Sequence, residues 1–221
     1  LEFFEPYLKE GKDILYVAFS SQMSATLQYA REAWDELNKT YPERKLLISD
    51  TWSISAPMTL LLLEAHQLYK NGASMEEVDE WIQNNRMRAM CYLTVDDLVY
   101  LKRGGRLSAT SAFFAGVLDI KPIITLGRSG KMDAIDKIKG RKRALQSIVD
   151  KTVQGIGESK GKTIVLLHAD ALEDAQRVEA MLKEKLPDLK EIQTRIIGPV
   201  IGAHCGPGTV AISFMGTGRI K

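Results

Sequence analysis

Ile14-Leu15-Tyr16-Val17-Ala18-Phe19-Ser20-Ser21 is the stretch on which the fold turns. An apolar run without polar alternation suits a parallel strand covered on both faces, and the abrupt change to serine suits its carboxyl end. A central place in the sheet is predicted for it. Downstream, Leu27, Ala30, Trp34 and Leu37 recur at helical spacing, the pattern stops near Tyr41-Pro42, and Leu46-Leu47-Ile48 reads as a second short strand. Strand, helix and strand make a βαβ unit.

Further along, the pattern predicts a helix over 57–71 that stops at Gly72, then a capping box of Ser74 and Glu77 opening a helix over 75–85. His66, spaced with Leu62, Leu63 and Tyr69, is placed on a core or boundary face of the first of these. Beyond Arg86 the pattern changes. Strand-like runs at 88–93, 121–126, 133–138, 163–168, 192–197 and 210–214 are broken by helical stretches at 145–155 and 172–186. Arg128-Ser129-Gly130-Lys131 is a hairpin signal between two of them. The expected architecture is an α/β domain over 1–86 followed by an α+β domain over 87–221 with a mostly antiparallel sheet.

Thirty basic against 28 acidic residues leave a formal charge of +2 over 221 residues, too balanced for an electrostatic footprint on nucleic acid or an acidic membrane. The longest uncharged apolar run, 56–63, falls far short of the roughly 20 residues of a membrane-spanning helix. Cys91 and Cys205 stand far apart in a sequence without a signal peptide, which favours reduced thiols and a cytoplasmic setting.

Two Gly-punctuated polar turns carry the chemistry: Tyr100-Leu101-Lys102-Arg103-Gly104-Gly105-Arg106, and His204-Cys205-Gly206-Pro207-Gly208. Paired glycines let backbone approach a ligand or another backbone closely, and the cations and imidazole they carry suit something small and anionic. Ser20, Ser21 and Ser24 stand where a strand passes into a helix, so hydroxyls and free helix N–H groups face the crevice at the strand end. One of them could equally be an ordinary N-cap. His204, in a predicted loop between Gly202 and Gly206, either donates to a carboxylate or stabilises the turn. Arg103 and Arg106 either face an anion or clamp helix-terminal carbonyls and hold the domains together.

Leu101-Lys102-Arg103-Gly104-Gly105-Arg106-Leu107-Ser108 followed by Leu118-Asp119-Ile120-Lys121-Pro122-Ile123-Ile124 resembles the central signature of the DegV family of bacterial fatty-acid-binding proteins. Ser20-Ser21-Gln22-Met23-Ser24-Ala25-Thr26 is similar to that family's Ser-Ser-x-Leu-Ser-Gly-Thr turn, Ser49-Asp50-Thr51 to its Asp-Ser turn, and His204-Cys205-Gly206-Pro207-Gly208 to its His-x-Gly-Pro-Gly turn. Ala25 stands where the family usually has glycine. The family's first strand and a Thr-Ser-Gln-Pro loop that helps hold the lipid carboxylate are expected to lie before Leu1.

The resemblance implies a single long-chain fatty acid between two domains, with no cofactor and no metal. Ser20, Ser21, Ser24 and His204 are the residues expected at its carboxylate, and Phe113, Phe114, Gly116 and Leu118 on the tunnel wall. Arg103, Gly104, Gly105 and Arg106 are expected at the domain interface, away from the lipid head. In the basic run at 137–143 an arginine of the family is associated with docking a fatty acid kinase, and Lys139 and Arg141 stand in that segment. If the strand continued through them they would point to opposite faces. The resemblance thus implies a carrier that presents its lipid for acyl phosphate formation; a monomer is favoured, with the oligomeric state left open. A serine- or cysteine-dependent hydrolase or acyltransferase, and a regulatory protein without lipid, are the alternatives, although no Gly-x-Ser-x-Gly elbow is present.

Overall fold

A computed structural model describes residues 1–108 and 119–220. In chain order the elements are α1 (Glu5–Lys9), β1 (Ile14–Ala18), α2 (Thr26–Leu37), β2 (Leu46–Asp50), α3 (Ser55–Lys70), α4 (Met75–Asn85), β3 (Ala89–Thr94), α5 (Leu98–Gly104), β4 (Leu107–Ser108), β5 (Ile120–Leu126), β6 (Met132–Lys139), α6 (Arg141–Ile156), β7 (Thr163–Ala169), α7 (Leu172–Lys185), β8 (Glu191–Ile196), α8 (Pro199–Cys205) and β9 (Thr209–Met215). They build a mixed α/β fold around two sheets. The predicted tunnel-wall residues Phe113, Phe114, Gly116 and Leu118 lie outside the described residues.

β1 and β2 pair in parallel from Ile14↔Leu46 to Ala18↔Asp50, as the βαβ reading requires. The expectation of a central strand buried on both faces does not hold. Among the described residues β1 has β2 as its sole partner, and Ile14 to Val17 are only half-buried. Leu15 and Val17 pack toward Ala65, Val78 and Ile82 of α3 and α4, while Tyr16 meets Phe4 edge to face at 5.7 Å. α4 opens with the predicted capping box, Ser74 accepting from Glu77 N–H at 3.1 Å and Glu77 accepting from Ser74 N–H at 2.7 Å. α3 departs from expectation: Leu62, Leu63, His66 and Tyr69 face solvent, and Ala56, Leu60, Leu61 and Ala65 form the buried stripe. Because this helix is apolar nearly all round, spacing alone could not choose the stripe.

The second sheet runs β4-β6-β5-β3-β9-β7-β8, antiparallel from β6 through β7 and parallel at its two edges. Alternation along the strands sorts it into two faces. Met90, Tyr92, Ile212 and Phe214 join α6 and α7 in the larger core; Cys91, Leu93, Ala211 and Ser213 point the other way. The β5–β6 hairpin turns at Gly130, φ +78°, where a side chain would collide with Ser20 and Trp52. That contact is a pin between the sheets: Ser20, fully buried, donates to the Gly130 carbonyl at 2.7 Å.

A stronger tie comes from Arg219, buried just beyond β9. Its guanidinium donates to the carbonyls of Trp52, Arg86, Ala89 and Gly127 and to Ser53 Oγ, at 2.7–3.2 Å. All of these acceptors are neutral, so burial depresses its ordinary value of 12.5 to about 10. We expect Arg219→Ala to lower stability by about 2–4 kcal/mol, since it removes a charge-assisted network and leaves buried carbonyls short of donors. Urea titration with an unchanged slope would register this; an unchanged midpoint would refute the clamp.

Burial also pushes the Cys91 thiol from 9.0 up to about 11. The raised value stabilises the fold fully below pH 9, and that contribution fades as the pH rises through 11, because the unfolded thiol ionises first. Stability should therefore decline across this window by about 2–3 kcal/mol more in the parent than in Cys91→Val, measured by denaturation at a series of pH values.

Candidate functional site

A cavity of about 370 Å³ lies between the second face of the large sheet and the segments packed over it, within the size range of small-molecule sites. Cys91, Leu93, Ile124, Leu126, Ala211 and Ser213 form its floor. Phe19 and Met23 from the β1–α2 turn, Ile54 and Pro57 at the start of α3, and Ile197 and Ile201 around α8 form its roof. Floor and roof are therefore apolar apart from the Ser213 hydroxyl. Polar groups gather at one end: Ser24 and Thr26 where α2 begins, Arg106 after α5, and His204 in the last turn of α8.

The two Gly-punctuated turns meet there. A methyl group on Gly104 would lie 2.6 Å from His204 Nδ1, and one on Gly206 would enter the ring of Tyr100. Backbone without a Cβ is what allows α5 and α8 to close on each other. Gly105 ends α5 in the left-handed conformation, φ +63°, and its N–H returns to the Leu101 carbonyl at 3.2 Å. Arg106 then folds back, donating from Nη1 to the Gly104 carbonyl at 2.7 Å and from Nε to the Met23 carbonyl at 3.4 Å. It clamps the helix end, joins it to the serine turn and also lines the cavity, whereas the sequence reading set it away from the ligand. Arg103 is exposed on α5.

The serine turn divides its work. Ser20 holds Gly130, and Ser21 donates from Oγ to Asp50 Oδ2 at 2.5 Å. Neither belongs to the cavity lining. An anion at Ser21 would moreover face the Asp50 carboxylate. Ser24 does line the cavity; its Oγ pairs with Thr26 Oγ1 at 2.7 Å and accepts from Thr26 N–H at 3.2 Å. Those hydroxyls sit at the amino end of the α2 dipole, which carries no acidic residue in its first turn, and this favours an anion. Thr26 was quoted in the sequence motif without a role; its position in the first turn of a predicted helix was the available signal.

His204 belongs to α8, not to a loop, and is half-buried with its ring against Gly104. Cys205 follows about 100° around the helix, so the two side chains diverge. Burial pushes the Cys205 thiol up from 9.0, the direction of a poor nucleophile. Thr209 Oγ1 donates to the carbonyls of Cys205 and Gly206 at 3.0 and 2.8 Å and fixes this turn onto β9. Both cysteines are free. No group of metal-ligating side chains gathers among the described residues.

Lys139 and Arg141 do not share a continued strand. β6 ends at Lys139, Gly140 turns at φ +88°, and Arg141 begins α6. Lys139 is exposed at the strand end. Arg141 is mostly buried, paired through Nε with Asp174 at 2.7 Å and donating from Nη2 to the Gly208 carbonyl at 2.5 Å. Its visible role is to brace the turn that follows His204.

Comparison with known proteins agrees with this geometry. Residues 1–217 match the family described as "Uncharacterised protein, DegV family". A DegV domain-containing protein of Clostridium perfringens is 39% identical over 216 residues, covering 98% of this chain and 74% of that protein. A fatty acid binding DegV family protein from Streptococcus agalactiae superposes with a TM-score of 0.85 at 24% identity, covering 98% of this chain and 75% of its own. A DegV family protein from Thermus thermophilus, described for its fatty acid binding, gives 0.85 at 25% identity, covering 97% and 75%. With the family's turns converging on one cavity and the match running through Thr217, the chain is a member of the DegV family.

Proposed function

We propose that the protein binds one long-chain fatty acid in this cavity and presents its carboxylate to a fatty acid kinase for acyl phosphate formation, acting as a cytoplasmic carrier and not as a catalyst. The observation that carries the reading is the cavity's polarity: aliphatic along the sheet, with Arg106, His204, Ser24 and Thr26 at one end. A permanent guanidinium, an imidazole, two hydroxyls and a helix amino terminus suit a carboxylate, and the sheet face suits an acyl chain. The two units of the reading, 1–86 and 87–221, supply the α2 end of this cluster and the Arg106 and His204 end respectively. The fatty acid binding named for the Streptococcus agalactiae and Thermus thermophilus relatives supports it.

Catalysis is disfavoured by the same groups. Ser21 bonds to Asp50 with no imidazole in that pair, and Cys205 is held as a neutral thiol diverging from His204. In the docking step Lys139, exposed and without a salt bridge among the described residues, is a cation that can steer a partner, while Arg141 is committed to Asp174 and Gly208.

Organic extraction of denatured protein should release a fatty acid of about C14 to C18 in near-stoichiometric amount, each buried methylene contributing ~0.8 kcal/mol. Recovery of none from folded protein would remove the lipid. Ser24→Ala, Thr26→Ala and His204→Ala should each weaken binding by about 1.5–3 kcal/mol, the worth of a hydrogen bond to a charged group. Ser21→Ala should bind nearly as the parent does; a larger loss there than at Ser24 would move the carboxylate to the Asp50 side.

Lys139→Ala is expected to leave fatty-acid affinity intact and slow acyl phosphate formation with the cognate kinase. Arg141→Ala should instead lower thermal stability, because Asp174 and the Gly208 carbonyl lose a partner. Kinase turnover and melting curves on the two variants separate these outcomes, and normal turnover by Lys139→Ala would end its docking role.

A further inference from the structure

The floor of the cavity is not uniformly apolar. β9 sends Thr209, Ala211 and Ser213 to the same face, and all three line the cavity. Thr209 is bound to the turn after His204, at the polar end. Ser213 lies four residues further along an extended strand, which places it roughly 13 Å from Thr209 and well down the cavity. There it stands directly opposite Cys91 on β3 and Val165 on β7.

Ser213 is fully buried; its Oγ makes no hydrogen bond of normal geometry among the described residues, and its contact with the Cys91 thiol is a weak one that only partly offsets the rise burial imposes on that thiol. Thr125, which neighbours the same strands, donates to the Cys91 carbonyl at 2.8 Å, and Thr209 is likewise satisfied. Thr94 Oγ1 is also buried without a partner among the described residues, but it lies on the opposite face of β3, so in the cavity floor the orphan hydroxyl is that of Ser213. A buried hydroxyl lacking a partner is disfavoured, and alanine or valine would serve packing alone better. The neighbouring Cys91 thiol stays neutral because burial raises it, so it offers a weak donor and a weak acceptor beside the serine. Ile124 and Leu126 close the space around them.

We infer that Ser213 and the Cys91 thiol form a hydrogen-bonding station deep in the cavity that selects acyl chains bearing a hydroxyl group part-way along their length. A chain hydroxyl can accept from Ser213 and donate toward the sulfur, whereas a methylene at that depth leaves the serine with the weak sulfur contact alone. A site with a buried polar group discriminates in this sense, rejecting the analogue that lacks the matching group. The inference rests on the lipid reading above and adds a preference to it.

Its test is a comparison of affinities in the purified protein for octadecanoic acid, the same acid hydroxylated near mid-chain, and the isomer hydroxylated beside the carboxylate. The mid-chain hydroxy acid should bind about tenfold more tightly than the unsubstituted acid, the upper range of one neutral hydrogen bond, and the carboxyl-adjacent isomer should gain nothing. Ser213→Ala should erase the preference, bringing the ratio of the two affinities to about one whatever the absolute affinity of the variant. Equal or weaker binding of the mid-chain hydroxy acid by the parent would overturn the inference while leaving the carrier reading in place. A preference that survives in Ser213→Ala would overturn it as well. Failure of the parent to bind any of the three would overturn both.

Discussion

The burial of one guanidinium against neutral oxygens sets the spacing of everything else in this molecule. Arg219 reaches the segment after β2, the entry to β3 and the β5–β6 hairpin at once, so one rigid planar group fixes three backbones. Removing a charge from water without a carboxylate partner is costly, and only a dense shell of carbonyl dipoles offsets it. Those carbonyls must hold their positions. The small sheet is consequently registered against the large one, and the gap between them becomes a defined cavity.

The second constraint is the absence of side chains where α5 meets α8. Gly104 lies under the His204 ring and Gly206 under the Tyr100 ring, so the helices are in contact at both turns. Thr209 and Arg141 hold the second turn from below, and Arg106 ties the first to the serine turn. The polar end of the cavity is thus assembled by backbone approach and by hydrogen bonds to carbonyls. His204 and Arg106 arrive beside the α2 terminus as a result of packing.

Much of this was legible in the sequence because it is local. The capping box at Ser74, the hairpin at Gly130 and the strand-like run at 210–214 are written in neighbouring residues. The two Gly turns announced close approach, and they do approach. What was not legible depends on partners far along the chain. Whether Ser21 or Ser24 faces the cavity is decided by Asp50, and whether Arg141 is available is decided by Asp174. The buried stripe of α3 is decided by which neighbours it meets, and the burial of β1 by its pairing, which among the described residues is with β2. Ser213 carried no local signal, because its neighbours Cys91 and Val165 come from strands more than forty residues away.

The order of strands carries a consequence for how the molecule comes into being. β9, last of the described strands, lies between β3 and β7 in the middle of the sheet. During synthesis β3 and β7 emerge before β9 does, so the edges that face each other across its place stay unpaired until it arrives. Such non-local pairing is slow to nucleate and leaves apolar edges exposed while it proceeds. Since β9 also forms much of the cavity floor, the binding compartment has no earlier, half-built version: it comes into existence in the same step that completes the sheet.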